Sequence, residues 1–198
     1  MSAQHPPTAN TKYKHQRWDG ANLSRLDLTE CSFQDCSCIG TDFRETKLNG
    51  CLFARCNLSN VRFTNANLFG AQFTQCKLLG IDFTQLAKYD GVRFAECSFD
   101  FALLRGMNLA KHDLRNCSFQ EADLSMCDLR ETSFVNCNMQ GIRLHEAKLD
   151  HTDLRGATLA GLDLQHHDLR GIILTPTQLR QLAEATGIAV LESTSDAP

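Results

Sequence analysis

The stretch ANLFGAQFTQCKLLGIDF, residues 66–83, repeats one short pattern without interruption. A Leu or Phe stands at every fifth residue, at Leu68, Phe73, Leu78 and Phe83. We call this position the centre of a unit. Two residues before these centres the chain has Ala, Ala, Cys and Ile in turn, while the other three positions of each unit are mostly polar.

The same five-residue pattern runs from Ala21 to Leu174, with one shift of register. It reaches back to Trp18 and Tyr13, which also fall on centre positions. A period of five fits neither a helix nor a plain strand, but it fits a short extended step followed by a corner. The centre and the residue two before it then point to the same side, as alternate residues of a strand do. Because each unit buries only two side chains, the units must stack, and the sequence predicts a solenoid. Trp18 and Tyr13 are expected to cap the open end of its core, with ligand stacking as the alternative.

This pattern resembles the pentapeptide-repeat family, whose units read Ala-(Asp/Asn)-(Leu/Phe)-x-x. Close matches stand at residues 21–23, 66–68, 122–124 and 152–154, and the resemblance covers about three quarters of the chain. It implies an all-β fold, a right-handed quadrilateral parallel β-helix with four units, hence about twenty residues, per coil. The length of the repeat then gives about 7–8 coils.

The repeat also divides the chain. Residues 1–12 are expected to form a disordered tail and residues 13–174 the β-helix, with a one-residue register break at 86–91. Residues 175–192 are expected to cap the solenoid as a short helix and strand, and residues 193–198 to be disordered.

The formal net charge of −3 favours neither direct nucleic acid binding nor a basic membrane-binding role. The N-terminus lacks the basic and apolar regions of a signal peptide, and no apolar run approaches the ~18 residues that a membrane span needs. We therefore expect a soluble cytoplasmic protein.

Nine of the ten cysteines lie two residues before a centre, and the tenth, Cys38, is itself a centre. They are predicted to point inward as small, reduced hydrophobic side chains. The pair Cys36 and Cys38 offers a zinc clip as the alternative, but stacked inward rows do not converge on a tetrahedral site. No metal or cofactor is expected.

Phe83 and Phe94 are separated by eleven residues rather than ten, and the segment 86–91 carries the extra one. It predicts either a bulge that the coil absorbs or a small protrusion that offers side chains to a partner. Phe69 and Phe101 break the polar rule for outward positions, which is either ordinary exposure or a contact patch. The candidate partner-binding residues are Phe69, Lys88, Tyr89, Asp90 and Phe101.

After Leu174 the sequence predicts a helix, with Thr175 as N-cap, Pro176 at the first position and Gln178 three residues after the cap. Gly187 is a typical helix stop, and the apolar run that follows predicts a short strand. This end is more apolar than shielding of the last coil requires, so we expect a homodimer through it. The candidate dimerisation residues are Leu179, Leu182, Ile188, Val190 and Leu191.

Stacking at twenty-residue intervals places opposite charges above one another. The expected pairs include Arg25 with Glu45, Asp35 with Arg55, Asp42 with Arg62, Asp123 with Arg143, Asp128 with Lys148, Asp150 with Arg170 and Lys111 with Glu131. Such pairs stabilise neighbouring coils by about 0.2–1 kcal/mol each.

Within the family, residues 169–191 and 79–83 look similar to the Qnr, MfpA, McbG and AlbG group. That resemblance implies a protein that binds DNA gyrase or topoisomerase IV as a DNA-like rod and protects it from a quinolone or a peptide toxin. A general scaffold with a different protein partner is the alternative. We do not expect an enzyme, because the sequence has no phosphate-binding glycine loop, no HExxH and no nucleophile elbow. His112 and His167 stand at inward positions, where a buried histidine is the expected reading.

Overall fold

A computed structural model describes residues 6–159, 167–185, 187, 188 and 190. Five short strands lie side by side in one parallel sheet, in the order of the sequence. They are β1 Lys12–Lys14, β2 Ser32–Gln34, β3 Leu52–Ala54, β4 Gln72–Thr74 and β5 Arg93–Ala95. Each strand pairs with the one twenty residues further on, except that β4 and β5 are separated by twenty-one. The predicted parallel β-helix is confirmed.

Each coil has four walls, and one unit of the repeat forms each wall. Wall 1 contains the five strands and continues through the bridged residues 113, 133, 153 and 173. Wall 2 runs through bridged positions 17 to 158, wall 3 through 22 to 143 and wall 4 through 27 to 148. The five strands mark four complete turns, and single bridged residues continue the coiling beyond them. The strands thus account for about four turns, fewer than the expected 7–8 coils, and single bridges hold the coiling beyond them.

The corners explain why the period is five. The residue two after a centre has a left-handed backbone, with φ of 61° at Arg25 and 68° at Gly70. The amide of Ala21 donates to the carbonyl of Trp18 at 2.8 Å, closing a turn between two walls. A positive φ at the third residue of a turn is the geometry of type II, which favours Gly and Asn. Three residues therefore extend along a wall and two make each corner.

Stacked aromatic rings fill the first half of the core. Phe33, Phe53 and Phe73 form one column with ring centroids 4.8 and 4.9 Å apart. Phe43 and Phe63 begin a second column with centroids 5.7 Å apart. Such pairs add about 0.5–1.5 kcal/mol each beyond the burial of their area.

All ten cysteines are free and buried, as the inward register predicts. Several thiols also donate to the chain of the coil before them: Cys51 Sγ lies 2.9 Å from the Leu28 carbonyl oxygen. Thr46 and Thr132 use the same position for full hydrogen bonds of 2.8 Å, to the carbonyls of Leu23 and Leu109. Cys and Thr therefore suit this position because they are small and can satisfy a buried carbonyl. Among the described residues, no group of three or more His, Cys, Asp or Glu side chains could hold a metal ion.

The first coil begins before Tyr13. Residues 6–11, which we expected within the N-terminal tail, lie against the stack: Asn10 donates its amide to the Thr29 carbonyl at 2.8 Å. Tyr13 and Trp18 pack edge to face with centroids 5.2 Å apart, and Tyr13 stacks on Phe33 at 5.4 Å. These rings cover the end of the Phe column, as the capping hypothesis expected.

The only helix in the described part of the chain is α1, Pro176–Ala185. Its start follows the prediction, because Gln178 donates its amide to Thr175 Oγ1 at 3.2 Å and accepts from the Thr175 amide at 2.9 Å. Its end also follows the prediction, because Gly187 is the helix stop and has a left-handed backbone with φ of 83°. The amide of Ile188 donates to the Ala183 carbonyl at 2.9 Å and that of Gly187 to Glu184 at 3.0 Å, which is a Schellman cap.

The predicted strand over residues 188–191 is wrong where the structure tests it, since Ile188 and Val190 have no strand conformation. The Schellman cap explains this, because it uses the Ile188 amide that a strand would need for pairing. Leu191 lies outside the described residues. Within them, no helix is both long and apolar enough to cross a membrane.

Candidate partner-binding surface

The segment 86–91 forms a β-bulge on wall 4. Ala87 donates its amide to the Ala66 carbonyl at 3.0 Å, while the Lys88 carbonyl accepts from Leu68 at 2.7 Å. In a regular coil one residue makes both bonds, as Lys47 does with Leu26 and Leu28. Here Ala87 and Lys88 share them, so two residues face Asn67, to which Lys88 is bridged. The extra residue is absorbed into the wall, which is the first of the two alternatives that the register break left open.

The bulge brings two candidate residues together on wall 4. Lys88 Nζ lies 4.6 Å from the centre of the Phe69 ring, whose residue is 46% exposed. A cation at this distance from an aromatic face is attracted to it. Asp90 lies on the same wall, and its backbone carbonyl accepts a hydrogen bond from the Gly70 amide at 2.9 Å. Tyr89 is half-buried against the core, so it contributes little surface to this group.

Phe101 lies elsewhere. It occupies the corner between walls 2 and 3, with φ of 59° and an exposed fraction of 56%. A bulky side chain with a left-handed backbone is an uncommon combination. The apolar Leu103, 36% exposed, follows it on wall 3. The sequence did not single out Leu103, because one apolar residue at an outward position is ordinary.

Six of the seven predicted pairs between neighbouring coils form ion pairs in the structure. Measured separations are 3.0 Å for Arg25 with Glu45, 2.7 Å for Arg55 with Asp35, 3.0 Å for Arg62 with Asp42, 3.5 Å for Arg143 with Asp123, 3.3 Å for Arg170 with Asp150 and 3.6 Å for Lys111 with Glu131. The walls therefore present alternating, paired charges in place of a continuous acidic stripe.

Wall 3 contains two carboxylates that the sequence placed outside but the structure buries. Asp42 is 2% exposed and lies between Arg44 at 2.7 Å and Arg62 at 3.0 Å. Hydrogen bonds from the Arg44 guanidinium hold the pKa of Asp42 below its ordinary value. Burial acts to raise the pKa of Asp123, but hydrogen bonds from Ser125 together with the charges of Arg143 and Arg105 lower this pKa overall. Both groups are therefore fixed anions, each with two neutralising arginines beside it.

The C-terminal end exposes apolar side chains. Leu179 on α1 is 61% exposed, Ile188 59% and Val190 37%. Leu182 differs from these three, because it packs against the core of the solenoid. Of the five candidate dimerisation residues, three are thus exposed, one is directed inward and Leu191 is outside the described part of the chain.

A second feature, which the sequence did not reveal, adjoins the bulge. Walls 2 and 3 remain bridged throughout, but among the described residues no bridge joins Lys88 to Asn108 or Arg93 to Asp113. We call this interruption the seam; it lies where residues 89–96 face residues 108–115. The ladder of wall 1 is therefore interrupted after β5 and resumes at Asp113, and a cleft of about 580 Å³ lies between β5 and residues 110–113.

Two large side chains occupy the seam in place of backbone hydrogen bonds. The Tyr89 hydroxyl oxygen accepts from the Asn108 amide at 3.3 Å, and His112 Nε2 lies 3.1 Å from the Val92 carbonyl oxygen. One coil further on, the position of Tyr89 is taken by Leu109 and the position of His112 by Thr132. The backbone ladder there is intact. The bulge and the two larger side chains thus account for the separation.

The comparisons with known proteins agree with this architecture. The family described as "Pentapeptide repeat region" matches residues 26–104 and 107–183. The chain belongs to the pentapeptide-repeat family. Residues 105 and 106 separate the two matched segments and lie just before residues 108–115 of the seam.

Solved structures of QnrB1 show the same fold. A trypsin-treated variant of QnrB1, a plasmid-mediated fluoroquinolone resistance protein, is 23% identical, with 92% of each chain covered and a TM-score of 0.60. Full-length QnrB1 is 21% identical over 91% of this chain and 92% of that one, with a TM-score of 0.58. HetL from the cyanobacterium Nostoc sp. strain PCC 7120 gives 23% identity, 82% of each chain and a TM-score of 0.43. No curated protein matches the sequence.

Proposed function

We propose that this pentapeptide-repeat protein is a non-enzymatic, cytoplasmic protein that binds DNA gyrase or topoisomerase IV and protects it from a quinolone or a peptide toxin. The observation that carries the proposal is the rod itself. Its core is filled by side chains such as Phe33, Phe53 and Phe73. Its four walls consist of hydrogen-bonded backbone, and their outer surfaces carry paired side-chain charges. Such a surface suits recognition of a large partner more than binding of a small substrate. Similarity to QnrB1 over nearly the whole of both chains supports the choice of partner.

A scaffold for a different protein partner is the second candidate, and the charge pattern favours it. A DNA-like rod needs an acidic face, whereas Asp42 and Asp123 are each paired with two arginines. The partner of a scaffold would recognise the exposed aromatic side chains on the outer surface, either Phe69 with Lys88 or Phe101.

A supercoiling assay with gyrase and ciprofloxacin separates the two candidates. Under the first, the purified protein restores supercoiling that the drug has blocked, at low micromolar concentrations. No relief and no inhibition at tens of micromolar would reject the topoisomerase as partner. The double variant Phe69→Ala, Lys88→Ala and the single variant Phe101→Ala change separate surfaces, so the one that loses protection identifies the wall that binds.

We also propose a homodimer through the C-terminal end, supported by the exposed Leu179 and Ile188. Sedimentation equilibrium of the full chain is expected to give twice the chain mass at micromolar concentration. Leu179→Glu with Ile188→Glu should give a folded monomer, while Leu103→Glu on wall 3 should remain dimeric. A monomeric mass for the unaltered protein would refute this interface.

A further inference from the structure

Three exposed apolar side chains lie where walls 2 and 3 meet, and we call them the corner patch: Leu79, Phe101 and Leu103. Phe101 and Leu103 are two residues apart in one coil, and Leu79 belongs to the coil before. Leu103 donates its amide to the carbonyl of Ile81, two residues after Leu79, at 2.8 Å. The two coils are thus held in register, and the three side chains share one surface. Exposed apolar surface with a polar rim is typical of a protein interaction site.

Phe101 and Leu103 break rules that the neighbouring coils keep. Phe101 has a left-handed backbone with φ of 59°, where the coil before has Gly80 and the coil two further on has Gly141. A bulky residue in this conformation costs free energy compared with glycine. The other coils form the same corner and the same wall without an exposed ring or an exposed leucine at these positions. Departures from local rules that bring no gain in packing are typical of functional sites.

Leu103 also interrupts a ladder of charges on wall 3. The bridged residues of this wall are, in order, Asp42, Arg62, Asp82, Leu103, Asp123 and Arg143. Opposite charges alternate along the ladder except at Leu103. Arg62 pairs with Asp42 and Arg143 with Asp123, while Asp82 has no ion pair in the part of the chain that the structure describes. A cation is therefore missing beside Asp82, at the position that the apolar leucine occupies.

The charges around the corner patch are mainly negative. Walls 2 and 3 carry four carboxylates and two cations over residues 77–85, 98–106 and 118–126, hence a net charge of −2: Asp82, Asp100, Glu121 and Asp123 with Lys77 and Arg105. Arg105 lies 3.8 Å from Asp123, which neutralises it. Lys77 has no ion pair with a described residue, but it lies on wall 2, two residues before Leu79 and away from wall 3. Glu121, in the coil after Phe101, has no ion pair with a described residue either.

From these observations we infer that the corner patch binds a basic, amphipathic segment of a partner protein. An apolar side chain of the segment packs against Phe101 and Leu103, and a lysine or arginine beside it supplies the cation that Asp82 lacks. A second copy of this chain fits less well, because two-fold symmetry would place the carboxylates of the two patches against each other. The inference rests on the proposed function only in that the rod binds a protein, and it does not require a topoisomerase.

A direct test titrates the full-length protein into a fluorescein-labelled helical peptide of twelve leucine and lysine residues, with the leucines on one face. Fluorescence anisotropy is expected to show saturable binding, at least tenfold tighter than for the same peptide with glutamate in place of lysine. In nuclear magnetic resonance spectra, the amides of residues 79–82 and 100–105 should shift on binding, and those of β3 should not. Equal binding of both peptides, no binding at millimolar concentration, or shifts on other walls alone would each overturn the proposal.

The double variant Phe101→Gly, Leu103→Arg restores the pattern of the neighbouring coils. It is expected to unfold at the same or a higher temperature, because glycine suits the left-handed corner and arginine returns a cation to Asp82. It should weaken binding of the lysine peptide at least tenfold. Leu52→Arg places the same charge on wall 1 in place of another exposed leucine, and it should change binding less than twofold. Lower stability or unchanged binding of the double variant would show that the two residues serve the fold and not a partner.

Asp82→Asn tests the charge alone. It should weaken binding of the lysine peptide at least fivefold, because asparagine keeps the bonds to Thr84 but does not attract a cation. Glu96→Gln removes a carboxylate that bonds Gln75 at the corner between walls 1 and 2, and it should change binding less than twofold. If the double variant changed the mass of the protein in solution, the patch would bind a second copy and the proposal would fail. The peptide measurements contain no topoisomerase, so they and the gyrase assay fail separately.

Discussion

At the scale of single residues, Asp42 occupies an outward position of the repeat but is only 2% exposed, beneath Arg44 and Arg62. Asp42→Asn should lower the free energy of unfolding by about 1–2 kcal/mol at pH 7, because it removes the anion between two arginines that face solvent. The pKa of Asp42 is lowered by folding, so its contribution is complete above the unfolded pKa of about 3.9. The contribution should disappear as the pH falls through the folded pKa.

Urea titrations of both proteins between pH 7 and pH 2 measure this difference. Asp82→Asn is the matched control, because Asp82 stands one coil beyond Arg62 on the same wall and its carboxylate bonds only Thr84 among the described residues. An asparagine can accept the same hydrogen bonds, so we expect a change of less than about 0.5 kcal/mol there. A pH-independent cost for Asp42→Asn would show that shape, and not charge, is responsible.

At the scale of elements, α1 is held by one buried amide. Gln178 is 6% exposed, and its Nε2 donates to the carbonyls of Leu154 at 2.7 Å and Ala157 at 2.9 Å. A ten-residue helix is marginal alone, so its docking decides whether it forms. Gln178→Ala should cost about 2 kcal/mol, since it leaves two carbonyls of the last coil unbonded.

Hydrogen exchange of the α1 amides and urea unfolding measure this cost. Gln181→Ala changes the same residue type on the exposed side of the same helix, and it should leave both quantities unchanged within about 0.5 kcal/mol. If Gln178→Ala behaved like Gln181→Ala, packing of Leu182 alone would account for docking of the helix.

The elements also show how far the sequence could predict this structure. The period of five predicted the walls, the stacked Phe columns and the inward thiols, because each depends on one local rule repeated many times. The helix start at Thr175 was equally local. The strand predicted after Gly187 is not formed at the described residues Ile188 and Val190, because the helix cap competes for the Ile188 amide. The seam depends on several residues from two coils, among them Tyr89 and His112, and no single unit of sequence contains it.

At the scale of the whole molecule, each coil of a solenoid contacts only its neighbours, so stability passes from coil to coil through the ladders and the core. At the seam, two of the four ladders are interrupted, on walls 1 and 4. The coils before residue 96 and those after residue 97 should therefore open separately under mildly destabilising conditions.

Two equivalent leucines on wall 4 test this separation, because Leu48 and Leu129 are both fully buried centres on opposite sides of the seam. Leu129→Ala should cost about 2–5 kcal/mol and accelerate exchange of amides beyond residue 97, while amides of β2 and β3 keep their protection. Leu48→Ala should give the reverse distribution. Deletion of Ala87 together with Tyr89→Leu and His112→Thr restores the sequence pattern of the intact coils and should make all four ladders continuous. In that background, either leucine substitution should accelerate exchange on both sides. If either leucine variant, with the seam unaltered, showed equally accelerated hydrogen exchange on both sides, the filled core and the ladders of walls 2 and 3 would suffice to couple the whole stack.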